Sequence, residues 1–494
     1  MGARPMIRTM PLPDHALTQL EGSRALLFDR FASARLGDRQ SRSDGSGTLT
    51  SRPVRYRAGL LPNAAGKTRG RSSLQQRRTL RLLVVSVSLV YAILLHWSYV
   101  HVETVLCEEL SVRPLLLSYE AVGCALAVLP ALWLRIAAAR PSDVCCWMFY
   151  LIVYVPTTFL PWHVCDMEPA QALVLPLVLL ALLALLCVSG NMRPLTFRLP
   201  DANRRGVECA IFIATLVLIG LVVYLSGGVR LNFDLNQVYE RRESSQDVAG
   251  AGSILAYAVC FLSGCFAPLS MCLGLLRRSF WFVLAGIAGH LAVFMFVGAK
   301  GALFAPFFIL AVATCLKYAR DLFGLCAVAG CAILVVAGDL QYLSTEHYEI
   351  SVLLVRRELV VPGYLTTCYW DFFSQHPLAL YTDRFLRFFL QPRYDLSTSC
   401  LIGETYFFSD TNSANGGVWA SAFANTGYAG MLLTTVALGW LLRLLNHLAS
   451  RGYEDLVLFM AAVFGTVWSS GALETSLLSN GILPAMILLA FLRK

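Results

Sequence analysis

From residue 80 to the end of this chain, apolar stretches near 20 residues long recur, separated by polar turns. They are continuous and rich in Leu, Val and Ala, without the apolar–polar alternation of a barrel strand, and so read as membrane-crossing helices. Twelve can be drawn, at 80–98, 114–134, 144–161, 169–189, 207–226, 251–275, 280–299, 302–317, 321–338, 428–445, 455–470 and 476–491. The expected fold is all-α, a polytopic transmembrane helical bundle of about twelve spans. Composition supports it: 57% of residues are hydrophobic and 14% charged, against about 25% charged in a soluble domain. A disordered chain, a coiled coil and an ordinary cytosolic enzyme are excluded.

Charge orders the spans. Lys and Arg together number 40, only four of them Lys, and sixteen of the 40 precede residue 82. Residues 1–79 are expected to be a basic, disordered cytoplasmic tail, with no secretory signal. Its Pro62–Thr68 run ends like a phosphate-binding loop, but Leu61 stands where the first glycine belongs. With the tail inside, every turn on that side is basic: Arg135 and Arg140; Arg193, Arg198, Arg204 and Arg205; Arg277 and Arg278; Lys317 and Arg320; Arg443 and Arg451. Both termini are thus expected in the cytoplasm. The segments in order are residues 80–338, the first part of the bundle with an exterior loop at 226–250; 339–427, one large exterior loop; and 428–494, the last helices. Within the large loop, Tyr381–Phe389 has the pattern of an interfacial amphipathic helix.

The positive-inside bias makes exterior arginines the ones to explain: Arg230, Arg241 and Arg242 in the first loop, and Arg356, Arg357, Arg384, Arg387 and Arg393 in the second. A guanidinium takes phosphate in a bidentate fork, so two such loops on one face suit a polyanion at the membrane surface. Each Arg has an alternative use, in pairing with Asp234, Glu240, Asp371 or Asp383 or in snorkelling. Lys300, between Gly298 and Gly301 at the junction of two apolar spans, is a substrate contact or an anchor. Aromatic and amide residues around Tyr369 and Asn415 suit sugar stacking and hydroxyl recognition, although turns use Asn for backbone reasons too. Asp371 and His376 are the acid–base candidates. The fifteen cysteines show no zinc spacing; a Cys368–Cys400 disulfide is one option. Dispersed basic residues with few aromatics between them argue against nucleic acid.

Several runs together resemble the Wzy-type oligosaccharide repeat-unit polymerases of bacterial O-antigen and exopolysaccharide pathways. They are Val238-Tyr239-Glu240-Arg241-Arg242, Gly298-Ala299-Lys300-Gly301-Ala302-Leu303-Phe304, Arg356-Arg357 with Pro362-Gly363-Tyr364, Tyr369 to Pro377, and Asn415 followed by Val418 to Gly430. The likeness covers residues 220 to 445 in order and sidedness. Gly301 stands where that family usually has Ser, and Ser421 where it often has Asp. The resemblance implies a GT-C-like glycosyltransferase of the bacterial inner membrane that joins undecaprenyl-diphosphate-linked oligosaccharides at the periplasmic face, with no metal or cofactor. It implies membrane lipid as a partner, with a chain-length regulator and a flippase of the same pathway as candidate partners. Arg242 and Arg356 would be catalytic, with Asp371 or His376 as base. Arg241, Arg357, Lys300, Tyr369, Asn415, Trp419 and Asn425 would bind substrate. An O-antigen ligase and a transporter of the same lipid-linked sugars are the alternatives.

Overall fold

A computed structural model describes residues 66–102, 117–195, 203–226, 253–298, 300–345, 347–383, 386, 389–409 and 413–492. No strand occurs among them. In chain order the helices are α1 (Gly66–His101), α2 (Leu117–Val128), α3 (Pro141–Val164), α4 (Pro169–Asn191), α5 (Arg204–Leu225), α6 (Ile254–Arg277), α7 (Phe280–Val297), α8 (Lys300–Tyr318) and α9 (Phe323–Thr345). After them come α10 (Val361–Gln375), α11 (Thr398–Phe407), α12 (Val418–Ser450, broken by a kink at Thr426 and Gly427), α13 (Glu454–Ser470), α14 (Leu473–Leu478) and α15 (Ile482–Phe491). Eleven of the twelve apolar segments overlap one of these helices at their described residues, and the last, 476–491, is divided between α14 and α15 by a turn at Gly481. Eight of the helices, all but α2, α7, α13 and α15 of the twelve, are long and apolar enough to cross a membrane. The protein is a membrane-embedded helical bundle.

Position in the bundle follows how many sides of a helix are apolar and what they meet. The hydrophobic window of α3 is buried on all sides, whereas those of α1 and α5 are 28% and 22% buried. Tyr91, Trp147, Tyr150, Tyr154 and Trp468 all sit in the core around α3. Their polar atoms close locally: Tyr150 and Tyr154 donate to the carbonyls of Ala127 and Leu126, each at 2.9 Å. Small residues let backbones approach. A β-carbon on Gly465 of α13 would lie 2.8 Å from the Met148 side chain of α3.

One end of the bundle is stitched by the basic turns. Arg81 of α1 donates to the carbonyls of Ala131 and Leu134, Arg140 to Asn191, Arg443 to Arg193 and Arg320 to Ala138. These guanidiniums cover carbonyls at two helix ends, Ala131 and Asn191, and in the turns at Leu134, Ala138 and Arg193. Arg320 also pairs with Glu454 and Asp455. Buried Glu208 of α5 accepts from Arg204 at 3.2 Å and from the Tyr453 hydroxyl at 3.2 Å, and pairs with Arg277.

Four expectations change. Helix α1 begins at Gly66, so the last part of the expected tail is helical. The large loop is not free chain: a π-helical stretch, Ser351–Val360, runs into α10, on which every residue from Pro362 to Phe373 is buried. That run is apolar enough to be packed in by α3 and α12, and its few polar side chains concealed this in the sequence. Tyr381–Phe389 is not an interfacial helix at its described residues, because Leu380 and Tyr381 have φ of 55° and 58°, which no right-handed helix accepts. Arg384, Phe385, Arg387 and Phe388 lie outside the described residues. Cys368 and Cys400 are both free thiols.

Because Glu208 neutralises two arginines while only 4% of its side chain is exposed, Glu208→Ala is expected to destabilise the protein by about 3–5 kcal/mol. Thermal unfolding in detergent, compared with Glu454→Ala at the exposed pair, measures it; an equal effect of the two substitutions would contradict the central role of Glu208.

Candidate functional site

At the end opposite the stitched turns, two separated parts of the chain meet. Helix α7 ends at Gly298, whose φ of 67° reverses the chain at a position that disfavours any side chain, and Lys300 opens α8. The side chain of Lys300 and residue 299 lie outside what the structure describes. A β-carbon on Gly301 would stand 3.5 Å from Oε1 of Glu358 and 3.9 Å from Nε of Arg357. The start of α8 is thus laid against Arg357 and Glu358 of the large loop, with the positive end of the α8 dipole there as well.

Arg356 and Arg357 are carried by the π-helical stretch, pinned through Val355 and Leu359, which are 0% and 5% exposed. Such wide turns are rare and often functional. Arg356 is half-buried; Arg357 is exposed, with Nε 3.9 Å from the Glu358 carboxylate. Desolvation raises the Glu358 carboxyl above its usual range, partly opposed by the Arg357 guanidinium. Two guanidiniums, one carboxyl of raised pKa and a helix N-terminus are a suitable set for holding a phosphate-bearing ligand and moving a proton beside it.

Asp371 is buried on α10. Its Oδ2 accepts from the Tyr406 hydroxyl at 2.6 Å and its Oδ1 from Gln375 at 3.2 Å. Burial, then the Asp371 carboxylate, raises the Tyr406 phenol far above its ordinary value. His376 is exposed just beyond the helix, stacked on Phe372 with ring centroids 4.1 Å apart. Its Nδ1 lies 2.9 Å from the Phe372 carbonyl. A carbonyl only accepts, so this contact puts the proton on Nδ1 and leaves the Nε2 lone pair to take a proton.

The remaining sequence candidates divide. Tyr369, Trp419 and Asn425 are 1%, 1% and 0% exposed. Tyr369 donates to the Ala414 carbonyl at 2.9 Å and Trp419 to the Thr435 hydroxyl at 2.9 Å. Asn425 donates to the Ser421 carbonyl and accepts from the Tyr381 amide at 2.6 Å, holding the strained Leu380–Tyr381 turn. These three side chains serve the fold, and a sugar outside the bundle reaches none of them. Asn415 is exposed on the approach to α12. Arg393 donates to the Leu378 carbonyl at 2.8 Å. Asp383 accepts from the first amide of α11 at 2.8 Å. Arg241 and Arg242 lie outside the described residues.

Two groups escaped the sequence. Tyr406 carried no signal, because only folding brings α11 to Asp371. Asp339 stands just past the apolar run 321–338, and α9 carries it on as a buried residue paired with Ser98 of α1. Among the described residues its Oδ2 is buried without a hydrogen-bond partner. Among the described residues no three metal-ligating side chains converge.

Folding raises the Glu358 pKa, so the stabilising contribution is full at low pH and is lost as pH rises through the folded value. Glu358→Gln is therefore expected to unfold like the unsubstituted protein below about pH 4 and at higher temperature near neutrality, read from melting curves across pH. Tyr406→Phe removes a hydrogen bond to a charged group and is expected to cost about 1.5–3 kcal/mol, by the same measurement.

No protein-family model matches this sequence, no curated protein matches it, and no solved structure matches it.

Proposed function

We propose that this chain is a membrane glycosyltransferase that polymerises undecaprenyl-diphosphate-linked oligosaccharide repeat units into a bacterial surface polysaccharide. In this reading the chain crosses the inner membrane about twelve times, with both termini in the cytoplasm and the arginine-bearing end in the periplasm. The observation that carries it is the packing of Gly301 against Arg357 and Glu358, which joins the two cationic motifs of the family resemblance into one place.

The chemistry follows from charge. A sugar hydroxyl of the incoming unit attacks the anomeric carbon of the growing chain, and its C–O bond forms as the bond to undecaprenyl diphosphate breaks. Negative charge develops on the departing diphosphate, where Arg356 and Arg357 act as counter-charges, a role the family resemblance gives to Lys300 and Arg242 as well. His376, exposed and with Nε2 able to accept, is better suited to take the hydroxyl proton than Asp371, whose two oxygens are occupied by Tyr406 and Gln375. Asp371 then acts by position, tying α10 to α11.

A second reading rests on Asp339. A buried carboxylate in a long apolar helix, with one oxygen on Ser98, suits ion coupling in a transporter of the same lipid-linked sugars.

The purified protein, given one synthetic undecaprenyl-diphosphate repeat unit without nucleotide sugar or metal, is expected to yield a ladder of whole repeats on a gel. Transfer only after addition of lipid A–core would make it a ligase, and silence in both, with flipping abolished by Asp339→Asn, a transporter. Arg242→Ala and Arg356→Ala are each expected to lower polymerisation by about a hundredfold or more, equivalent to about 3 kcal/mol of barrier. Unchanged chain lengths from both would end the assignment.

A further inference from the structure

A cavity of about 370 Å³ opens at the stitched end, away from the site described above. It lies between the start of α3, the end of α4 and the turn after α2, within the range of about 300–1,000 Å³ typical of ligand sites. Its walls are mostly apolar: Trp133, Leu134, Cys146, Ala184, Cys187 and Val188. The opening faces sideways, since Trp133 is 40% and Val188 56% exposed, with Leu132 beside them at 53%. In a membrane-embedded bundle such a lateral, apolar mouth meets lipid tails.

The rim has the opposite character. Exposed Arg135 lines the cavity itself. Arg140 reaches the Asn191 carbonyl at 3.3 Å, and Arg443 reaches the Arg193 carbonyl at 2.9 Å, so two further guanidiniums stand around the end of α4. The acid in the lining is Asp143, which is buried and committed to the Arg140 backbone amide at 2.9 Å. The rim therefore carries a net positive charge next to an apolar slot that opens to the membrane. A soluble anion has no use for the slot, and a neutral lipid has none for the arginines. Basic pockets between transmembrane helices recognise anionic lipid headgroups.

We infer that this cavity binds one anionic phospholipid of the surrounding leaflet, with an acyl chain in the slot between α3 and α4 and its phosphate on Arg135 and Arg140. The site is independent of the proposed polymerase reaction. It would fasten the first turn of α3, the central helix, to the end of α4 through the lipid.

The test uses the full chain in detergent with a fluorescent-tailed phosphatidylglycerol and phosphatidylcholine of the same tail. Saturable binding of phosphatidylglycerol is expected to be about fivefold tighter than of phosphatidylcholine. Arg135→Ala is expected to remove that preference and Arg135→Lys to keep it, while Ala184→Phe or Val188→Trp, which fill the slot, abolish both. Monodisperse elution of each variant shows that it folds. Equal affinity for the two lipids, unchanged binding to both slot-filling variants, or release of the lipid by equimolar inorganic phosphate would each overturn the assignment.

Discussion

Hydrocarbon offers no hydrogen bonds, so every polar backbone group left at a helix end in this protein must find a partner supplied by the chain or by the interface. At the basic end that demand is met by arginine. Arg81, Arg140, Arg320 and Arg443 each cover carbonyls from another segment, and Asn446 bridges Ser142 of α3 and the Gly190 carbonyl of α4. The result is a belt of long side chains that fixes the order of the helices about α3. A guanidinium suits the task because it has five donors in a rigid plane and stays charged at the interface. The scarcity of lysine in this chain is consistent with that use.

The other end is held differently. There the chain between α9 and α12 folds back into the bundle, and aromatic side chains with single hydrogen bonds replace the arginine belt. Trp370 donates to the Tyr428 hydroxyl at 3.0 Å, Tyr394 to the Pro377 carbonyl at 2.5 Å, and Tyr406 to Asp371. Because α10 is rigidly buried, the adjoining π-helical stretch and His376 at its far end become fixed points from which charged groups reach the surface. A site that must stabilise charge without reorganising benefits from such a frame. Asp371 shows the division of labour: its two oxygens are taken by Tyr406 and Gln375, and its neighbour five positions on, His376, is the one left exposed.

How much of this could be read from the residues depends on what each inference required. The helices follow from local runs, since the transfer of about twenty apolar residues into lipid depends on composition alone; eleven of the twelve expected segments fall on one helix, the last is split at Gly481, and the described basic turns gather at one end. Arg356 and Arg357 likewise stood out against the charge bias. The buried state of Tyr369, Trp419 and Asn425 was not legible, because an aromatic or amide residue suits a sugar surface and a packed core equally well until its neighbours are known.

What folding added is a matter of long-range partners. No local feature joins Gly301 to Glu358, Asp371 to Tyr406 or Ser98 to Asp339, for these pairs lie far apart in the chain and meet only when helices cross. The apolar run of α10 was masked by its few polar residues, and only enclosure by α3 and α12 makes it interior. Membrane partition is an additive property of the residues in a segment, so the chain alone carries it. Side-chain pairing and burial belong to the geometry between segments, and these arise only when the bundle closes.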